Sequence, residues 1–141
     1  MFEPINRKSP EDRRSVPFDP AVTPTILQGQ VLALDAATGK AVLADGDVPD
    51  PMWSFTKTAR LDSITAKSVT VLEAPFMAKV NTDGYVGTPA PGDYLAVGTG
   101  GNVGKLVVLV LNADATVNAP IVARCVKGPD SNGIILFKAI R

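Results

Sequence analysis

The chain has 141 residues, 45% hydrophobic and 20% charged, with 14 basic and 14 acidic side chains and a formal net charge of zero. That length suits one domain with a modest core, and the zero balance argues against nucleic acid as a partner, because such binders draw most of their affinity from a basic excess that neutralises phosphates. There is no histidine and one cysteine, which removes the commonest general base, any intrachain disulfide and every Ser–His or Cys–His nucleophile pair.

Residues 1–24 differ in character from the rest of the chain. They hold Pro4, Pro10, Pro17, Pro20 and Pro24, no glycine and eight charged residues. Proline fixes φ and lacks a backbone donor, so neither a regular helix nor a central strand is expected there. One capped turn is allowed at Ser9-Pro-Glu-Asp12, and Val16-Pro-Phe-Asp-Pro20 should be extended. The stretch therefore reads as an extended proline-rich N-terminal arm, with 25–141 as the folded domain. Fully extended, 24 residues reach about 70 Å, against a radius of gyration of about 13 Å for the remaining globule. Such an arm can lie on a neighbouring molecule. Phe2, Ile5, Val16 and Phe18 offer it apolar anchors. Arg7, Lys8, Arg13 and Arg14 form a basic cluster that Glu3, Glu11, Asp12 and Asp19 balance. Mixed signs suit ion pairs across a protein interface better than phosphate tracking. On this reading the arm contacts a partner, and its removal leaves the β-domain folded.

From Thr25 onward, short apolar runs alternate with turn signals. Gln30–Asp35 and Lys40–Ala44 flank a four-residue hairpin loop, Ala36-Ala-Thr-Gly39. Asp45-Gly-Asp-Val-Pro-Asp-Pro51 is a polar loop. Met52–Thr58 alternates, with Trp53 and Phe55 on one face. Thr58–Ser68 reads as an edge strand or a loop. Val69–Glu73 and Phe76–Val80 are strand-like and split by Pro75, where a bulge or corner is expected. Asn81-Thr-Asp-Gly84 and Thr88-Pro-Ala-Pro-Gly92 are turns. Asp93–Val97, Lys105–Leu111, Ala119–Lys127 and Gly133–Ile140 read as strands, the last two joined by a turn at Asp130-Ser-Asn-Gly133. Closely spaced short strands without helical periodicity predict an all-β fold, a small β-barrel or sandwich.

The candidate chemical motifs fail on spacing. Gly98-Thr-Gly-Gly-Asn-Val-Gly-Lys105 resembles a phosphate loop. However, position 99 is threonine where that loop needs glycine, and position 106 is leucine where it needs Ser or Thr. A flexible hairpin loop fits better. Asp45, Asp47 and Asp50 offer oxygen ligands without the spacing or closing glutamate of an EF-hand, so a solvated turn is expected. Cys125, inside Ile121-Val-Ala-Arg-Cys-Val126, reads as a small buried apolar side chain. Trp53, the sole tryptophan, is by default a core residue and alternatively an interface anchor. No catalytic, cofactor or metal site is expected, and the chain reads as a binding or assembly protein rather than an enzyme. The most apolar run, Leu106–Leu111, is far short of the roughly 20 residues that span a bilayer. The first residues carry no apolar core of signal-peptide length. No membrane partner is expected, and synthesis in the cytoplasm fits.

Six stretches resemble the capsid decoration, or cement, proteins of tailed double-stranded DNA bacteriophages. They are Leu27–Asp35 with Gly39–Leu43, Ala74–Tyr85, Pro91–Val97, Ile121–Lys127 and Gly133–Phe137. The resemblance implies a compact β-barrel-like domain on the outer capsid surface of the virion, without enzymatic activity. It further implies a homotrimer that binds the major capsid protein and bridges adjacent capsomers. The arm matches no pattern of that family. The alternative is another virion or surface β-module, such as a tail or fibre component or a carbohydrate-binding domain. Sugar sites usually stack their ligand on exposed aromatics, and aromatics are only 6% of this chain.

Overall fold

The computed structural model describes residues 1–5, 13–19, 21–23, 25–55, 68–109 and 121–140. Among them lie eleven strands: β1 (Phe2–Pro4), β2 (Arg13–Pro17), β3 (Val31–Leu34), β4 (Ala41–Leu43), β5 (Met52–Ser54), β6 (Ser68–Glu73), β7 (Phe76–Val80), β8 (Tyr94–Val97), β9 (Leu106–Val108), β10 (Ala123–Lys127) and β11 (Ile135–Ala139). They form two antiparallel sheets. One has six strands in the order β1-β7-β11-β10-β8-β9, and the other has five in the order β2-β6-β5-β3-β4. The fold is all-β and sandwich-like, and it is not closed into a barrel. Of the two forms expected, a barrel or a sandwich, the chain takes the sandwich: Phe18, just past β2, makes a single parallel bridge to Ala41 on the opposite edge strand. One bridge brings the edges of the five-stranded sheet together without a ladder between them.

The hairpin signals act as expected. In β3–β4, Leu32 faces Leu43 and Leu34 faces Ala41. The Asp35 N–H donates to the Lys40 carbonyl at 2.9 Å and the Gly39 N–H to the Asp35 carbonyl at 2.7 Å. The corner at Pro75 is also real. The chain leaves β6 in the five-stranded sheet, bends at Ala74–Pro75 and re-enters the other sheet as β7. β6 and β7 thus form one bent ribbon shared by both layers.

The N-terminal stretch runs along that ribbon. β1 pairs with β7, Glu3 opposite Lys79 and Pro4 opposite Ala78. β2 pairs with β6, Arg13 opposite Leu72 and Pro17 opposite Ser68. Both are edge strands of their sheets, the positions where a missing proline N–H costs no ladder bond. The expectation of an arm that stands apart from the domain and anchors on a neighbour is therefore corrected. Phe2, Val16 and Phe18 are buried within their own chain. The physical reason is that the folded strands leave apolar sockets at these two edges, and the nearest apolar side chains that fit them are the chain's own. Arg7, Lys8, the turn at Ser9–Asp12 and most of the Thr58–Ser68 stretch lie outside the described residues.

Two apolar clusters hold the layers. The larger lies between the sheets and includes Val31, Trp53 and Leu72, which face one another across β3, β5 and β6. Phe2, Phe76 and Phe137 meet them from the six-stranded sheet. Trp53 and Phe76 stand edge to face at 5.2 Å, and Phe2 and Phe76 at 5.7 Å. Phe55 packs on the same cluster as Trp53, so the two do share a face. Trp53 is fully buried, which settles it as a core residue and removes it as an interface anchor. Its Nε1 reaches no hydrogen-bond partner. That unmet donor costs about 1–3 kcal/mol, less than the about 3–5 kcal/mol lost when a buried aromatic is cut to alanine. The smaller cluster lies on the other face of the five-stranded sheet: Leu32, Met52 and Val71 with Val16, Phe18 and Ile26. The five-stranded sheet is therefore apolar on both faces.

The Gly98–Lys105 segment closes the β8–β9 hairpin and ties the layers. The Gly104 N–H donates to the Ala44 carbonyl at 2.8 Å, and the Val31 N–H to the Gly104 carbonyl at 2.7 Å. Gly104 has φ +74°, and a Cβ there would lie 2.9 Å from Leu43 Cδ2. Gly98 and Gly104 serve close backbone approach, whereas a Cβ at Gly100 or Gly101 would meet nothing within 4 Å.

Candidate interaction surface

Across β7, β11 and β10 the six-stranded sheet buries one face and bares the other. Along β11, Ile135, Phe137 and Ala139 are buried, while Leu136 and Lys138 between them point outward. On β7, Phe76, Ala78 and Val80 are buried, and Met77 and Lys79 point outward. Period-two alternation sets these choices. On β10 it would turn Lys127 inward with Cys125. A bulge between Cys125 and Lys127 inserts one residue, so Lys127 faces Leu136 and is exposed. The bulge thus returns a cation to the outer face.

Registers then place side chains from distant parts of the chain in two rows. One runs Glu3, Lys79, Leu136, Lys127 across β1, β7, β11 and β10. The next runs Met77, Lys138, Arg124, Tyr94 across β7, β11, β10 and β8. Neighbouring strands are roughly 4.8 Å apart, and the rows are roughly 7 Å apart along each strand. Among the described residues, no ion pair within 4 Å engages Lys79, Arg124, Lys127 or Lys138. The exposed apolar residues Ile5, Tyr94, Val126 and Ile140 belong to the same strands or their ends.

The first row opens into a groove of about 320 Å³, lined by Glu3, Lys79, Lys127, Asp130, Ile134 and Leu136 among others. Asp130 Oδ1 accepts from the backbone N–H groups of Asn132 at 2.8 Å and Ile134 at 3.0 Å. These two bonds hold its carboxyl below the usual carboxylate range, and the Lys127 and Lys79 charges add to the effect. Beneath the same turn, the Tyr85 hydroxyl donates to the Gly133 carbonyl at 2.7 Å. Burial raises its pKa above the ordinary value, with Asp130 and Cys125 contributing after it.

The expected contact residues are scattered by the fold. Ile5 is 42% exposed beside β7, and its N–H donates to the Met77 carbonyl at 2.8 Å. It belongs to the outward face of the six-stranded sheet. Arg14 turns to its own chain, with an ion pair to Glu73 at 2.7 Å and a contact to Met52 Sδ at 3.2 Å. Arg13 takes its place in β2 opposite Leu72. Lys79, Arg124, Lys127 and Lys138 went unnoticed in the sequence as a group. Only the alternation of β7 and β11 hints at two of them.

Other candidates keep structural roles. Cys125 is buried, and burial first and Asp93 second push its thiol up. Asp45, Asp47 and Asp50 sit in the loop between β4 and β5, away from the groove. Among the described residues, no three His, Cys, Asp or Glu side chains are grouped to hold a metal ion. No helix among them is long and apolar enough to cross a membrane. All eight aromatics lie within the described residues, and of these Tyr94 alone is exposed. No family model, no curated protein and no solved structure matches this chain.

Proposed function

We propose that this chain is a structural capsid-decoration protein. It binds the outside of an icosahedral phage head and stabilises it by bridging adjacent capsomers of the major capsid protein. It does so as a homo-oligomer, a trimer, without enzymatic activity. The observation that carries this reading is the outward face of the six-stranded sheet. It sets Arg124, Tyr94 and Met77, residue types that protein interfaces favour, beside Lys79, Lys127 and Lys138, which suit the polar rim of such a contact. The strand and turn stretches that resemble cement proteins support it. The single exposed aromatic makes a sugar-stacking module the weaker alternative.

Specific docking asks for burial of about 1,000 Å² or more per contact. Many copies on one shell raise the effective concentration, so modest single contacts still hold capsomers together. The test is co-sedimentation with empty heads assembled from the major capsid protein of the same genome. The chain should pellet with the heads and raise the temperature at which they rupture. A polypeptide that stays monomeric in the supernatant at every concentration contradicts the reading.

A further inference from the structure

We propose that the groove across β1, β7, β11 and β10 receives an extended acidic segment of a protein partner, with an apolar side chain between its carboxylates. The inference rests on the assembly reading above and names the chemistry of the partner.

Three observations carry it. The first is sign. The chain is neutral overall, yet its outward face sets four cations, Lys79 and Lys127 at the groove and Arg124 and Lys138 in the next row, against the two carboxylates of Glu3 and Asp130. Asp130, the other acid at the groove, already holds two backbone N–H groups.

The second is spacing. Lys79 and Lys127 flank Leu136 in one row, so their backbones stand roughly 10 Å apart. In an extended segment, alternate residues share one face. An acid, an apolar residue and a second acid at successive alternate positions span roughly 13 Å. Lysine stems are long and flexible enough to close the difference. The apolar side chain then meets Leu136 and Ile134 while each carboxylate meets an ammonium.

The third is the bulge. It interrupts the ladder by one residue between Cys125 and Lys127, and the result is Lys127 on the outer face.

Nucleic acid fits less well. A phosphate track asks for unbroken positive charge, and here Glu3 and Asp130 line the groove beside Leu136 and Ile134.

The test uses the full chain and a synthetic peptide with Glu, Leu and Glu at alternate positions and threonine between them. Fluorescence anisotropy at low salt should show saturable binding that weakens as salt is raised. Lys79→Glu with Lys127→Glu should weaken it about tenfold or more, while Lys40→Glu leaves it within about twofold. Lys79→Gln with Lys127→Gln should weaken it in the same direction by less, which guards against a folding defect in the reversed variant. Absence of binding, equal binding of a Lys-Leu-Lys counterpart, tighter binding of duplex DNA or indifference to the reversal each overturns the proposal. Heads separate it from the assembly reading. If wild type and the reversed variant pellet with heads equally, the groove proposal falls and the assembly reading stands. If the peptide binds as described but no head does, the groove stands and the assembly reading falls.

Discussion

The two sheets use their side chains differently. The centre of the five-stranded sheet, β5 above all, is buried on both faces, by the inter-sheet cluster on one side and by Val16, Phe18 and Ile26 on the other. The six-stranded sheet is buried on one face only across β7, β11 and β10, where its outward residues are charged or partly exposed. A sheet with two apolar faces is a foundation. A sheet with one free face can present a rigid surface to a partner without loss of core. Under the proposed function the contrast gives stability to one layer and recognition to the other, and substitutions can set the two apart.

Removal of residues 1–18 should have the largest effect. It deletes two edge strands and takes Phe2, Val16 and Phe18 from both clusters. Each phenylalanine alone is worth about 3–5 kcal/mol, and total stability of a domain is only about 5–15 kcal/mol. The truncated chain should show no cooperative thermal transition by circular dichroism. A folded truncation would restore the picture of a separate arm.

Trp53→Ala should come next, with a loss of about 3–5 kcal/mol in denaturant unfolding. Phe18→Ala should approach it, because Phe18 is the one aromatic of the second cluster. A negligible loss at Phe18 would mean that the outer face of the five-stranded sheet is not a core.

Gly104→Ala should cost about 1–3 kcal/mol, from its positive φ and the approach to Leu43. Lys138→Ala and Arg124→Ala should change stability by no more than about 0.5 kcal/mol, yet weaken partner binding. That split is the sharpest mark of a recognition face.

The smallest effect is on alkaline stability. Tyr85 titrates above its ordinary value in the folded state, so the folded state favours the protonated phenol. Its contribution is complete below the unfolded pKa near 10 and is lost as pH rises through the folded value. Tyr85→Phe should therefore flatten the fall in stability above about pH 10, measured by denaturant titration across that range.

Much of this fold is legible in the residues. The β3–β4 hairpin comes from alternating apolar residues around Gly39, and the corner from Pro75. The N-terminal strands are not legible. β1 has three residues and β2 five, each ends in proline, and they are strands only because the β6–β7 ribbon offers them a ladder. Local sequence describes an extended chain correctly and says nothing of what it lies against. The candidate surface is the least legible part. Lys79, Arg124, Lys127 and Lys138 come from three strands, and one of them faces outward only through a bulge. Registers between distant segments, and not spacing along the chain, bring them together.

The central claim is that the outward face of the six-stranded sheet is the docking face. Lysine acylation, read by mass spectrometry on free and head-bound protein, tests it directly. Binding should protect Lys79, Lys127 and Lys138 while Lys40 on the five-stranded side stays reactive. Protection of Lys40 with Lys79, Lys127 and Lys138 still labelled would contradict the account.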